Sequence, residues 1–267
     1  MIKQKLTGFC FWFETMIITS RSNKTAKLIS SLSQKKYRDK TGYFVAEGKR
    51  SVDDILRFAP ELVREIVTVP SLADEYPGAT VFSPELLSAV CETVTAQGVA
   101  AILKKPDGKP SGCDRALLLD GVRDPGNLGT LIRTACAAGY NDVYVKDCAD
   151  AYSGKTVRST MSAIVKVNLI KADARLLRDL SGSGYRIIGA DMDGKSVFGR
   201  PPERGRFCLV IGGEANGISE EVMELCDEKV SVPMTGSIES LNAAVSGAVL
   251  KKEDHFMAKV RDYAKLA

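Results

Sequence analysis

Apolar and polar positions change period several times along the chain, and the changes mark elements. From Asn23 to Leu32, Ala26, Ile29 and the pair Leu28/Leu32 fall three or four apart, which predicts one face of a helix. Short apolar runs at Gly42–Ala46, Glu65–Val69 and Val99–Leu103 predict strands, and Ser51–Phe58 and Ser83–Cys91 predict helices between them. After the polar stretch Lys104–Gly112 the alternation resumes. Strands are expected at Ala116–Asp120, Val143–Lys146, Val165–Leu169, Arg186–Ala190, Phe207–Ile211 and Lys229–Val232. Helices are expected at Leu128–Ala138, Lys155–Ala163, Ala174–Leu180 and Glu220–Cys226, with a last one from Leu241 onward. Strands that alternate with helices predict a mostly parallel sheet covered on both faces. The fold class is therefore α/β, in two units. Residues 20–104 form a smaller α/β unit, 105–113 a Pro/Gly/Lys-rich linker, and 114–267 a larger parallel-sheet unit.

Composition narrows the function. At 45% hydrophobic and 26% charged, the 267-residue chain has the mix of a globular protein. No apolar run reaches the ~18 residues of a membrane helix. The seven cysteines are odd in number and lack CxxC spacing, and there is one histidine. Neither a disulfide framework nor a Cys/His zinc site is expected, and scattered thiols suggest a cytoplasmic protein. Leu6–Ile18 has an apolar centre preceded by Lys3 and Lys5, but Glu14 interrupts it and no small-x-small site follows. Residues 1–19 are read as an extension, with Met16 as an alternative start.

Charge is uneven. Residues 1–50 hold eleven Lys/Arg and three Asp/Glu, a local +8, leaving −4 for the remainder of a chain whose net charge is +4. Lys24, Lys27, Lys35, Lys36, Arg38 and Lys40 cluster there with Tyr37 and Tyr43 nearby. Such a cluster is either a handle for a polyanion or a solvated face.

Three strand exits are chemically unusual. Asp120–Gly129 leads into a helix carrying Arg133. Gly212-Gly213-Glu214-Ala215-Asn216-Gly217 follows an apolar strand, and so does Pro233–Asn242. No exit ends in Gly-Lys-Ser/Thr, and none fits GxGxxG, which excludes a P-loop and a Rossmann dinucleotide site.

Taken in order, Asn127-Leu128-Gly129-x-x-x-Arg133, Leu209–Glu214-x-x-Gly217 and Val232-Pro233-Met234-x-Gly236-x-x-x-Ser240-Leu241-Asn242 resemble the three motifs of the SpoU (TrmH) family of RNA ribose methyltransferases. The resemblance covers roughly Ala116–Lys252; residues 20–105 are more loosely similar to the substrate-binding domain that often precedes it. Two departures are small: Ala243-Ala244 follows Asn242, and Ser162 stands where glycine is common.

The resemblance implies a deep trefoil knot in the larger unit, S-adenosylmethionine as cofactor, structured RNA as partner with ribosomal RNA favoured, no metal, and a homodimer through the catalytic domain. It implies a cofactor slot from Gly212, Gly213, Gly217, Val232, Met234, Gly236 and Leu241. It also implies a catalytic group of Asn127, Arg133, Glu214, Ser240 and Asn242. Arg133 is expected at the reacting ribose and its adjoining phosphate. Asn127 is expected as a helix N-cap or as a group orienting Arg133 or the ribose, and Glu214 as loop support or as a partner of Arg133. Arg158 is a candidate RNA or active-site contact, with an ordinary salt bridge as the alternative. A transfer-RNA methyltransferase and an inactive knotted RNA-binding protein remain as alternatives.

Overall fold

The computed structural model describes residues 16–92, 97–198 and 205–233. The chain divides into two compact units at Lys105/Pro106.

In the first unit, α1 (Lys24–Ser31) and α2 (Lys35–Thr41) precede β1 (Tyr43–Glu47) and α3 (Lys49–Phe58). β2 (Val63–Thr68), the two-residue β3 (Thr80–Val81), α4 (Pro84–Val90) and β4 (Val99–Lys104) complete it. The sheet order is β1-β4-β2-β3, antiparallel except for β2 and β3. β4 lies at its middle and is buried on both faces, which is why Val99–Leu103 reads as an unbroken apolar run. Ala26, Ile29 and Leu32 from the α1 segment and Leu86, Leu87 and Val90 of α4 pack with Val67, Ala100 and Ile102 on one face. α3 buries Val52 and Ile55.

The sequence pattern misses α2 because Lys-Lys-Tyr-Arg-Asp-Lys-Thr has no apolar period. Its one buried position is Arg38, 3% exposed. The Arg38 Nη1 donates to the Leu32 and Ser33 carbonyls at 2.6 and 2.7 Å, closing the open end of α1. Gly42, at φ 72°, then ends α2 in the left-handed conformation.

In the second unit, β5 (Arg115–Asp120), α5 (Pro125–Ala137), β6 (Asp142–Lys146), α6 (Gly154–Thr160) and β7 (Asn168–Lys171) wind in one direction. α7 (Ala174–Gly182) leads to β8 (Arg186–Ser196), β9 (Phe207–Gly212), α8 (Glu220–Met223) and β10 (Glu228–Ser231) on the other side. The six strands run in the order β10-β8-β9-β5-β6-β7, every adjacent pair parallel. Alternation along β5 splits its apolar residues between faces. Ala116 and Leu118 join Leu177 and Leu180 of α7 and Val222 of α8. Leu117 and Leu119 point the other way and are buried, as are Leu128, Leu131 and Ile132 of α5.

The segment 105–113, expected as a linker, has no regular structure, and its Ser111 and Gly112 are held by a buried carboxylate. Asp142, wholly buried at the start of β6, accepts from Ser111 N, Ser111 Oγ, Gly112 N and Asn168 Nδ2 at 2.7–3.2 Å. Burial opposes its charge, but the Asn168 and Ser111 donors prevail and hold its carboxyl below the ordinary value. The last helix expected from Leu241 lies outside the described residues.

Candidate functional site

Winding reverses between β5 and β9, so the crevice of this sheet opens at their carboxyl ends. Three residues stand side by side there: Lys146 ends β6 opposite Asp120, and Asp120 ends β5 opposite Gly212 of β9. Two of the three sequence motifs leave the sheet at this point.

The first exit turns through Gly121 at φ +71°. Asp124, not Asn127, caps α5: its carboxylate accepts the Asn127 N–H at 2.8 Å, and Pro125 fills the first helical position. That N–H, followed by an ion pair with Lys155 at 3.2 Å, holds the Asp124 carboxyl below its ordinary value. Asp124 supplies the cap, and the Asn127 side chain reaches across instead. Its Nδ2 donates to Glu214 Oε1 at 2.5 Å, tying the first motif to the second. Glu214 thus meets Asn127, and no ion pair joins Glu214 to Arg133.

Gly129 does not face the crevice. A Cβ there would lie 2.5 Å from Ser159 Cβ and 2.6 Å from the Thr156 carbonyl, so this glycine lets α5 and α6 pack closely. Arg133, one turn on, is exposed and has no ion-pair partner among the described residues. It lies about 9 Å along the helix axis from Asn127. Arg158 is half-buried on α6.

The second exit is a tight hairpin. Gly213 and Gly217 exchange N–H···O bonds of 3.1 and 3.0 Å. A Cβ on Gly212 would come within 2.1 Å of the Gly217 carbonyl carbon, and one on Gly213 within 2.2 Å of the Gly121 oxygen. These two glycines bring one backbone against another. Gly121 and Gly217, both at positive φ, have open space where a Cβ would stand. The exit then meets Asp120, whose Oδ2 accepts the Ser219 N–H at 2.7 Å.

Val232 follows β10 and is partly buried. Met234, Gly236, Ser240, Leu241 and Asn242 lie outside the described residues. In the first unit Lys24, Lys27, Lys35, Lys36 and Lys40 are exposed. Arg38 must be removed from this set: it is buried and committed to the end of α1. Tyr43 is covered by the Arg64 guanidinium, 4.5 Å from its ring centre, whereas Tyr37 is 38% exposed. Among the described residues no cluster of His, Cys, Asp and Glu could hold a metal ion, and no helix is long and apolar enough to cross a membrane.

Sequence reasoning missed Asp120, Lys146 and Ser219 as parts of the site. The available signal was a charged residue closing each of two apolar strands, Leu-Leu-Leu-Asp and Val-Tyr-Val-Lys.

An all-parallel α/β sheet with backbone-lined loops meeting at its switch point belongs to the class of α/β proteins that take a small ligand at their strand ends. Residues 114–251 match the SpoU rRNA Methylase family, and residues 23–101 match the MRM3-like substrate binding domain. The chain belongs to the SpoU rRNA methylase family. It is 35% identical over 240 residues to the 23S rRNA (guanosine(2553)-2'-O)-methyltransferase RlmP of Bacillus subtilis, covering 87% of this chain and 96% of that one. A TrmH-family structure from Porphyromonas gingivalis superposes with a TM-score of 0.76 at 31% identity, over 85% of this chain and 95% of that one. An AdoMet-bound rRNA methyltransferase from Sinorhizobium meliloti gives 0.76 at 25% identity, over 89% and 96%. The SpoU methyltransferase AviRb of Streptomyces viridochromogenes, solved in complex with AdoMet, gives 0.75 at 25% identity, over 86% and 96%.

Proposed function

We infer that this chain transfers a methyl group from S-adenosylmethionine to a ribose 2'-hydroxyl of ribosomal RNA. The observation that carries the reading is the meeting of two family motifs at the β5/β9 crevice through Asn127 and Glu214. The residues present fit the cofactor: backbone is laid against backbone at Gly212 and Gly213, and no heavy atom stands within 4 Å of where a Cβ would be at Gly121 or Gly217, so a ligand edge can approach the main chain there. Gly212, Gly213, Gly217 and Val232 are assigned to hold it, with Met234, Gly236 and Leu241 completing the slot. Bound there, S-adenosylmethionine supplies a methyl activated by its sulfonium.

The chain's own part is to hold the nucleophile and stabilise its charge. Arg133, exposed and unpaired among its described neighbours, clamps the phosphate beside the target ribose and stabilises the developing alkoxide. A guanidinium with a pKa above ~12 is a poor base, so Arg133 serves as a charge rather than as the proton acceptor. Asn127 and Glu214 fix the two exits relative to each other, and Ser240 and Asn242 are assigned to the same centre. The third motif is proposed to thread the family's trefoil knot, and two copies to pair through the catalytic domain without metal in the cytoplasm. In the first unit, Lys24, Lys27, Lys35, Lys36 and Lys40 supply phosphate contacts, Tyr37 offers a face for an unpaired base, and Arg158 adds a contact from the catalytic unit.

Mapping 2'-O-methyl sites in total RNA from a deletion strain against its parent tests the reading. A lost site in ribosomal RNA, restored by the purified chain with S-adenosylmethionine, is the expected result. A lost site in transfer RNA alone, or none, overturns it.

A further inference from the structure

The loop that follows Gly212 is tied down at its far end by charges that the proposed chemistry does not use. Asp120 is 2% exposed and Lys146 9%. The Lys146 Nζ donates to Asp120 Oδ1 at 3.3 Å, to Asp147 Oδ2 at 3.2 Å and to Ser219 Oγ at 3.4 Å, with Glu221 Oε2 at 3.9 Å. The other Asp120 oxygen takes the Ser219 N–H at 2.7 Å, a short bond to a charged acceptor. Ser219 is the first residue of the α8 entry, yet its hydroxyl makes no capping bond there. It turns toward Lys146 instead.

Buried ion pairs can often be replaced by apolar residues without loss of stability, so stability alone does not explain an aspartate and a lysine at adjacent strand ends. A fixed acceptor does. A carboxylate locked by Lys146 presents one oxygen in one place, and Ser219 must come to it. The loop from Gly213 to Ser219 is then held at three points: Asn127 on Glu214, the Gly121 carbonyl against Gly213, and Asp120 on Ser219.

We propose that Asp120 and Lys146 are positioning residues for the cofactor: their buried pair sets the backbone of the Gly213–Ser219 loop by anchoring the Ser219 N–H. The proposal rests on the reading of Gly212–Gly217 as the S-adenosylmethionine loop. It assigns the pair to cofactor affinity and not to the methyl-transfer step.

Two independent changes test it in the full chain. Ser219→Pro deletes the N–H at a residue whose φ of −62° already suits proline, and leaves Asp120 and Lys146 in place. Ser219→Ala keeps the N–H. The double change Asp120→Leu with Lys146→Met removes both charges together, so neither is left buried alone. Calorimetry with S-adenosylmethionine should give a Kd at least tenfold higher for Ser219→Pro than for Ser219→Ala. The double variant should show the same loss against wild type. Methyl transfer at saturating cofactor should stay within about threefold of wild type in both, so the KM moves and kcat does not. A merely structural pair would lower the melting temperature and leave the folded protein's cofactor affinity unchanged. Wild-type affinity in both Ser219→Pro and the double variant overturns the proposal. Failure of the wild-type chain to bind S-adenosylmethionine overturns the loop reading itself, and the proposal with it.

Discussion

At the scale of single residues, the glycines and the arginine carry different burdens. Gly213 is required by contact: an added Cβ meets the Gly121 carbonyl at 2.2 Å, and neither backbone can yield without opening the β5/β9 exits. Gly213→Ala should cost about 1–3 kcal/mol, the usual range for overpacking, and should weaken cofactor binding as well. Chemical denaturation and calorimetry read the two effects. Gly129→Ala should carry a similar stability cost through α6, where Ser159 and Thr156 stand 2.5–2.6 Å from the new atom. Because Gly129 packs a helix pair away from the loops, its variant should lose stability and keep its cofactor Kd within a few-fold. Arg133 shows the reverse. It is exposed and makes no ion pair among the described residues, so Arg133→Ala should melt with wild type. Its methyl transfer should fall by about a hundredfold or more, the scale of losing one oxyanion donor, with cofactor affinity held within a few-fold. Equal losses in binding and turnover would show that Arg133 belongs to the cofactor slot.

At the scale of elements, α2 shows how one residue can be mistaken for a ligand contact. Lysines 36 and 40 project opposite the buried Arg38, and Tyr37 flanks them. The face of α2 proposed to meet RNA is therefore Lys35, Lys36, Tyr37 and Lys40, while Arg38 holds α1 and α2 together. Replacing Lys36 and Lys40 by glutamate should weaken RNA binding and flatten its dependence on salt, with no change in melting temperature. Arg38→Ala should do the opposite. It leaves the Leu32 and Ser33 carbonyls without their charged donor, a loss of about 1.5–3 kcal/mol. Filter binding across a salt series, paired with thermal melts, separates the two roles. Tyr37→Ala should reduce affinity for RNA with unpaired bases more than for a continuous duplex.

For the whole molecule, the boundary between units matters more than its composition suggests. Ser111 and Gly112 look like linker, yet their N–H groups satisfy the buried carboxylate of Asp142. A catalytic fragment beginning at Pro106 should therefore be more stable than one beginning at Asp114, which strands that carboxylate. The same group makes stability depend on pH. Its folded pKa lies below the ordinary 3.8, so between the folded and unfolded values the native state holds fewer protons. Its contribution is present above pH 3.8 and is lost as pH falls through the lower folded value. The stability gap between wild type and Asp142→Asn should be full near neutral pH and close in strong acid. Denaturant melts over a pH series check this.

Local pattern alone determined most of the elements, because a strand or helix with one buried face must show its period in the chain. The five apolar residues of β4 and the Leu-Leu-Leu of β5 declared strands, and the order of three motifs declared the family. What depended on distant groups stayed hidden. Asp120, Lys146 and Ser219 are 26 to 99 residues apart along the chain, and only the parallel register of β5, β6 and β9 brings them to one edge. Asn127 looked like a helix cap because a cap needs only near neighbours. The fold instead gave that task to Asp124 and turned Asn127 toward Glu214, 87 residues away. Arg38 looked like one more cation of a basic run; which way it faces was settled by the Leu32 and Ser33 carbonyls left open after α1. Sequence period records burial, whereas partners across the fold are chosen by topology, and the site of this protein is built from partners.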